Sequence, residues 1–304
     1  MNIIQQFLDP FHYQFMVNAV LVGALVGLVC AVLSCYITLK GWSLLGDAIS
    51  HAVVPGVAIA YILNIPFAIG AFVFGFGATT MIGFVKSNTR IKEDASIGVV
   101  FTALFALGVI IISKTPSNVD LTHILFGDLL GMLPSDIEQT VIISVITLIG
   151  ILILRKDLLL YCFDPNHARS IGLNTQFLYY ALLTLLALTV VASQITVGVI
   201  LVIAMLITPG SIGYLLTDRF DRMMLIAIFC GVFSSIAGTY ISFQIDGSTG
   251  GTIVVFQALL FVLAMVAAPQ RGLIAKWRLG RKNQSVRTQA EPEEIGLVEE
   301  LPVE

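Results

Sequence analysis

The chain has 304 residues, of which 57% are hydrophobic and 12% charged, with a formal net charge of −3. Soluble domains carry roughly 25% charged residues. A mean hydropathy of +0.95 therefore excludes a soluble globular domain and identifies an integral membrane protein. A helical span needs about 20 apolar residues to cross about 30 Å of hydrocarbon, so the gaps between charged side chains mark the spans. Asp9 to Lys40 gives a first span at 14–39. Asp47 to Lys86 is too long for one crossing, and Asn64-Ile65-Pro66 divides it into spans at 44–63 and 66–85. Asp94 to Lys114 holds a fourth and Glu138 to Arg155 a short fifth. Arg169 to Asp218 reads as a double span broken near Ser193-Gln194, with Pro209-Gly210 ending its second half as a terminus or hinge. Arg222 to Asp246 and Asp246 to Arg271 complete the set. The expected fold class is all-α and polytopic, with about nine transmembrane helices in a range of eight to ten.

Alternate loops sort the basic residues. Lys40, Lys86, Arg90, Lys92, Arg155, Lys156, Arg169, Arg219, Arg222 and six in the C-terminal tail fall on one side, and Lys114 alone on the other. Lys and Arg accumulate at the cytoplasmic side, so the N-terminus is expected outside and the C-terminus inside the bacterial plasma membrane. The first apolar run is too long for a cleaved signal and reads as a retained span. Residues 271–304 carry six basic residues and then six Glu without apolar periodicity, as in a solvated, partly disordered cytoplasmic tail.

Cys30, Cys35, Cys162 and Cys230 form no CxxC and no Cys/His cluster, and read as packing residues. There is no GxxxxGK[ST] loop, no HExxH and no GxSxG, so ATP hydrolysis or another enzymatic activity is not expected of this chain alone. No nucleic-acid partner and no permanently bound cofactor are expected.

The stretch "GDAISHAVVPG" (Gly46–Gly56) interrupts the apolar pattern. Positions i and i+4 share a helix face, so Asp47 and His51 project side by side. Counted along a helix from Lys40 they lie about 10 and 16 Å from the boundary, inside the membrane. Ionisable groups there cost about 2.5–3.5 kcal/mol on an insertion scale, and they face polar cavities and act. Pro55 has no N–H to return to the His51 carbonyl, which leaves a helix kink and a peptide oxygen beside the pair. Carboxylate, imidazole and carbonyl suit a divalent first-row metal such as manganese or zinc, and packing between neighbouring helices is the other reading of the pair. One helix supplies too few ligands to hold a dehydrated ion. A two-fold dimer meeting along this helix brings two Asp and two His together.

The run "LKGWSLLGDAISHAVVPGVAIAY" (Leu39–Tyr61) resembles the signature of the permease subunit of bacterial ABC importers for manganese, zinc and iron. The likeness continues through "KEDASIGVVFTALFALGV", "HILFGDLLG", "FDPNHARSIGL" and "TVGVILVIAMLITPG", and covers residues 13–270. It looks most like the manganese branch; the shortened basic run at Lys40-Gly41-Trp42 and the charged tail depart from the pattern. The resemblance implies a transmembrane permease domain over 1–270 with a cobalamin-importer-like fold. It also implies a homodimer in the lipid bilayer, two cytoplasmic ATPase subunits that use the ATP, an extracellular metal-binding lipoprotein, and transported manganese(II) or zinc(II). It carries the metal site onto Asp47 and His51.

The segment 157–174 reads as a stand-alone capped helix, with Asp164 as N-cap, Pro165 at the first position and Gly172 past the end. In the family that place belongs to the coupling helix, which implies an ATPase-coupling role for Asp164, Pro165, Ala168 and Gly172. His167 reads as a docking or surface residue. Asp120, His123 and Asp128 read as solvated loop charges or an outer vestibule. Phe residues read as lipid-facing or packing, and the glycines of the run 70–77 as points of close helix approach. Two other classes stay open: a secondary cation carrier or channel with Asp47 as relay, and a non-transporting membrane scaffold.

Overall fold

The computed structural model describes residues 12–114 and 129–268; Asp120, His123, Asp128 and the charged tail 271–304 lie outside them. Among the described residues the secondary structure is helical throughout. In chain order the helices are α1 (Gln14–Lys40), α2 (Leu45–Ala52), α3 (Val54–Leu63), α4 (Phe67–Asn88), α5 (Glu93–Lys114), α6 (Pro134–Phe163), α7 (Pro165–Ser170), α8 (Thr175–Val197), α9 (Val199–Leu216), α10 (Phe220–Ile245) and α11 (Thr249–Ala267). With α2 and α3 forming one span and α7 none, nine helical segments among the described residues are long and apolar enough to cross a membrane. The protein is multi-pass and all-α.

Helix α1 is apolar around its whole circumference, as befits a helix surrounded by others. It packs against α6, α8, α9 and α10 and buries Val26, Cys30, Leu33 and Tyr36. Between lipid-dissolved helices no hydrophobic drive operates, so close backbone approach has to supply the contact. Gly27 of α1 and Gly231 of α10 provide it: a Cβ on Gly27 would sit 2.8 Å from the Gly231 carbonyl. Hydroxyls inside the spans donate one turn back along their own helices, Ser34 to Ala31 O at 2.8 Å and Thr79 to Phe76 O at 2.8 Å. The four cysteines are free thiols, three of them buried.

Four boundaries differ from the sequence expectation. The fifth span is long, because α6 runs through Asp136 and Glu138 at one end and Arg155, Lys156 and Asp157 at the other; charges mark where hydrocarbon stops, and the helix continues into the interface. The break in the double span falls at Gly198, not at Ser193-Gln194. Ser193 and Gln194 keep their backbone donors and turn their side chains into the bundle, whereas Gly198 adopts φ 84° and ψ 160°, which only glycine takes without strain. Pro209 does not end the seventh span; α9 continues to Leu216, with Gly210 pressed against Ser34 of α1. Finally, residues 157–163 belong to α6, and the expected capped helix α7 follows it directly: Asp164 closes α6 and opens α7 with no residue between.

Candidate functional site

Helix α1 ends at Lys40, where Gly41 takes the left-handed conformation (φ 73°) and the Trp42 N–H returns to Ile37 O at 3.0 Å. The chain reverses there, and α2 starts afresh at Leu45 inside the bundle. It is packed by α4, α5, α8 and α9, and six of its eight residues are buried. The remaining two are Asp47 and His51, with side chains 37% and 30% exposed. The helix stops at Val53, whose N–H donates to Ile49 O at 3.1 Å and also turns toward His51 O. The His51 carbonyl, expected to be wholly free, is thus partly occupied. Pro55 stands at the start of α3 and supplies it no donor. Small residues let the neighbours close on this break. Gly75 of α4 faces Val53 and Ile49, and Gly70 faces Gly56; Gly77 of the same run meets open space.

His51 Nε2 stands 3.3 Å from Asp47 Oδ1. The Nδ1 atom is buried without a hydrogen-bond partner. The imidazole lies between two rings of α5, Phe101 at 6.0 Å and Phe105 at 5.3 Å, the latter edge-on. Register with neighbouring helices gives the depth. Gly46 meets Leu206, ten residues before the end of α9, which is about 15 Å of helix. Phe101 and Phe105 stand eight and twelve residues from Glu93, where α5 begins, or about 12 and 18 Å. Residues 41–44 form a turn and not a helix, yet Asp47 and His51 lie at a level similar to that expected from an unbroken helix, because α2 begins deep. Among the described residues no group of three or more His, Cys, Asp or Glu comes together. One copy of the chain thus offers one carboxylate and one imidazole to a cation, oxygen and nitrogen donors of the type that manganese, iron and zinc accept.

At the basic end, the Asp164 side chain accepts from the N–H groups of Asn166 (2.9 Å) and His167 (3.0 Å), and Pro165 occupies the first turn. Ala168 is fully buried and its carbonyl accepts from Leu173 N at 3.0 Å; Gly172 takes φ 89° to close the helix. His167 is exposed, as are Phe163, Ile171 and Phe177 around it. Helix α7 is seated by the buried Ala168 and by Arg169, whose Nε donates to Thr175 Oγ1 of α8 at 2.9 Å; its own outward residues are polar, and exposed apolar groups flank it at Phe163, Ile171 and Phe177.

The residues the sequence did not single out are Phe101 and Phe105. Their spacing of four was visible, but many Phe pairs share it, and only the packing of α5 on α2 selects this one.

A scan of family models matches the ABC 3 transport family over residues 12–268. A manganese transport system membrane protein, MntB, of Synechocystis sp. is 65% identical over 271 residues, covering 89% of each chain. A chelated iron transport system membrane protein, YfeD, of Yersinia pestis is 52% identical over 258 residues, covering 85% of this chain and 87% of its own. Among solved structures, PsaBC from Streptococcus pneumoniae in complex with Fab superposes with a TM-score of 0.80 at 38% identity, over 88% of this chain and 98% of that one. Family match, relatives and nine spans together make this chain a multi-pass inner-membrane permease of the ABC 3 transport family.

Proposed function

We propose that the chain is the membrane-spanning subunit of an ATP-driven importer of a divalent transition metal, manganese in the first place. The observation that carries this reading is the adjacency of Asp47 and His51 on the open strip of an otherwise buried helix at mid-span depth. An acid and an imidazole in hydrocarbon need cover, and the strip continues along α3 through Val54, Ala58 and Tyr61, none of them fully buried. A second copy packed on this strip supplies that cover and completes a set of two carboxylates and two imidazoles around the ion. The ion arrives from an extracellular metal-binding lipoprotein, is held by Asp47 and His51, and leaves inward as the assembly alternates between outward and inward access.

ATP is hydrolysed by two partner subunits at the cytoplasmic face. Helix α7 is the docking element, with Asp164, Pro165 and Gly172 holding its shape, Ala168 seating it on α6, and Phe163 and Ile171 entering a groove of the ATPase. Manganese is favoured by the 65% identical relative named for it, while the 52% identical relative is named for chelated iron. Carboxylate and imidazole bind zinc more tightly than manganese by intrinsic affinity, so selection rests on geometry and delivery.

Isotope uptake by cells lacking this chain and complemented with it, with manganese, iron and zinc in competition, tests the reading. Manganese uptake is expected to be restored and to be lost in Asp47→Ala and in His51→Ala, with membrane insertion intact. Either variant transporting at the wild-type rate would sink the assignment, and preferential uptake of iron or zinc would replace manganese as the cargo.

A further inference from the structure

A metal-ligating histidine ordinarily donates its second ring N–H to a carboxylate, a backbone carbonyl or water, and that bond fixes the ring's orientation. His51 has no such bond, because Nδ1 is buried and unpartnered. Besides the Nε2 contact with Asp47 at 3.3 Å, what can fix the ring is the packing around it. We propose that Phe101 and Phe105 of α5 are positioning residues that hold the His51 imidazole by ring packing in place of a hydrogen bond, with Gly108 setting the distance at which they do so. The proposal rests on the reading that Asp47 and His51 hold the ion.

Three observations carry it. The centroid distances of 6.0 and 5.3 Å and interplanar angles of 35° and 73° put one ring tilted beside the imidazole and the other edge-on. Both lie in the range where aromatic pairs attract. Phe101, Phe105 and Gly108 are spaced by four and three, so they line one face of α5. That face reaches the break itself. A Cβ on Gly108 would sit 2.9 Å from Pro55 N and 3.0 Å from Pro55 Cδ and Val54 Cγ1, so any larger residue drives α5 away from α2 and α3. One helix face thus touches the imidazole and, one turn on, the Pro55 break. Packing in place of a bond at Nδ1 leaves the ring correctly aimed yet without the basicity that such a hydrogen bond confers, which suits a ligand that must let go.

The assembled transporter, purified with its ATPase subunits, is titrated with manganese(II), and free ion is followed by electron paramagnetic resonance. The nitrogen-14 modulation of the bound ion reports imidazole ligation. Phe105→Leu and Gly108→Ala are expected to raise the dissociation constant about 3- to 10-fold, the affinity equivalent of one aromatic pair, and to weaken the nitrogen modulation. Phe105→Tyr keeps the ring and is expected to behave as wild type. Gly98→Ala makes the same chemical change on the same helix, where a Cβ meets open space, and is also expected to leave both readouts unchanged. Should Phe105→Leu fail to assemble, Phe101→Leu and Gly108→Ala carry the same comparison. Wild-type affinity and modulation in the Leu and Gly108→Ala variants overturn the positioning role while leaving the site intact. A nitrogen modulation that survives His51→Ala overturns the site reading itself.

Discussion

Gly56 of α3 and Gly70 of α4 lie so close that a methyl group on either would overlap the other's carbonyl. Because both obstacles are backbone, no side chain can swing aside. Gly56→Ala is therefore expected to destabilise the protein by about 1–3 kcal/mol despite its better helix propensity, seen as a lowered thermal unfolding midpoint in detergent, whereas Gly77→Ala leaves it unchanged or raises it. Polar residues inside the bundle follow a different logic. Gln257 donates to Ser234 Oγ at 3.0 Å, and its own Oε1 is buried without a partner. Ser234→Ala strands the Gln257 amide altogether, while Gln257→Leu removes the stranded acceptor with the donor. The first is expected to cost about 1 kcal/mol or more and the second less, a ranking that the same melting experiment reads. The Asp47–His51 pair was legible at this scale because it depends on one helix's own period. Phe101 and Phe105 were not, since what an aromatic side chain touches depends on which helix folds against it.

Among elements, α7 was the most legible, because its capping chemistry is local: a carboxylate, a proline and a glycine at fixed spacing need no partner to act. Asp164→Ala leaves two N–H groups without their acceptor, a loss of about 1 kcal/mol for a helix of six residues. It is expected to fray α7 and, if α7 docks an ATPase subunit as proposed, to lower that affinity in a pull-down from detergent, while Asp164→Asn, which retains an accepting oxygen, assembles normally. The α8–α9 boundary was misread for a related reason. Ser193 and Gln194 look like a turn to an eye tuned to polarity, yet inside a bundle a polar side chain can face another helix, as the Thr140 hydroxyl does in bonding Ala192 O at 3.2 Å. Gly198, with its positive φ, is where the helix breaks, and Gly198→Ala is expected to cost about 1–3 kcal/mol in thermal stability. The long α6 belongs here too. Its extension beyond the apolar run carries Arg155, which pairs with Asp221 at the start of α10.

For the whole molecule the decisive feature is the strip that α2 and α3 leave open. If two copies meet there, Ala58→Cys is expected to form a disulfide-linked dimer under mild oxidation in membranes, whereas Leu152→Cys, on the exposed face of α6, is not. The native cysteines serve as the background, and three of the four are buried. Absence of the Ala58→Cys dimer, with the protein correctly inserted, would count against the shared site. Electrostatic sorting acts at the same scale: nine candidate spans among the described residues put Gln14 and Ala267 at opposite faces, in agreement with the alternation by which the basic residues sort.

From residue order alone came the membrane environment, the spans and the acid–imidazole pair, because hydrophobicity, charge sorting and helical period act within about 20 residues of chain. The depth at which α2 begins, the aromatic wall around His51, the Gly198 break and the strip left open were decided by tertiary structure. Each of these is a relation between helices far apart in sequence, fixed by how closely backbones can approach where glycine permits it, and no local pattern encodes which helix will arrive.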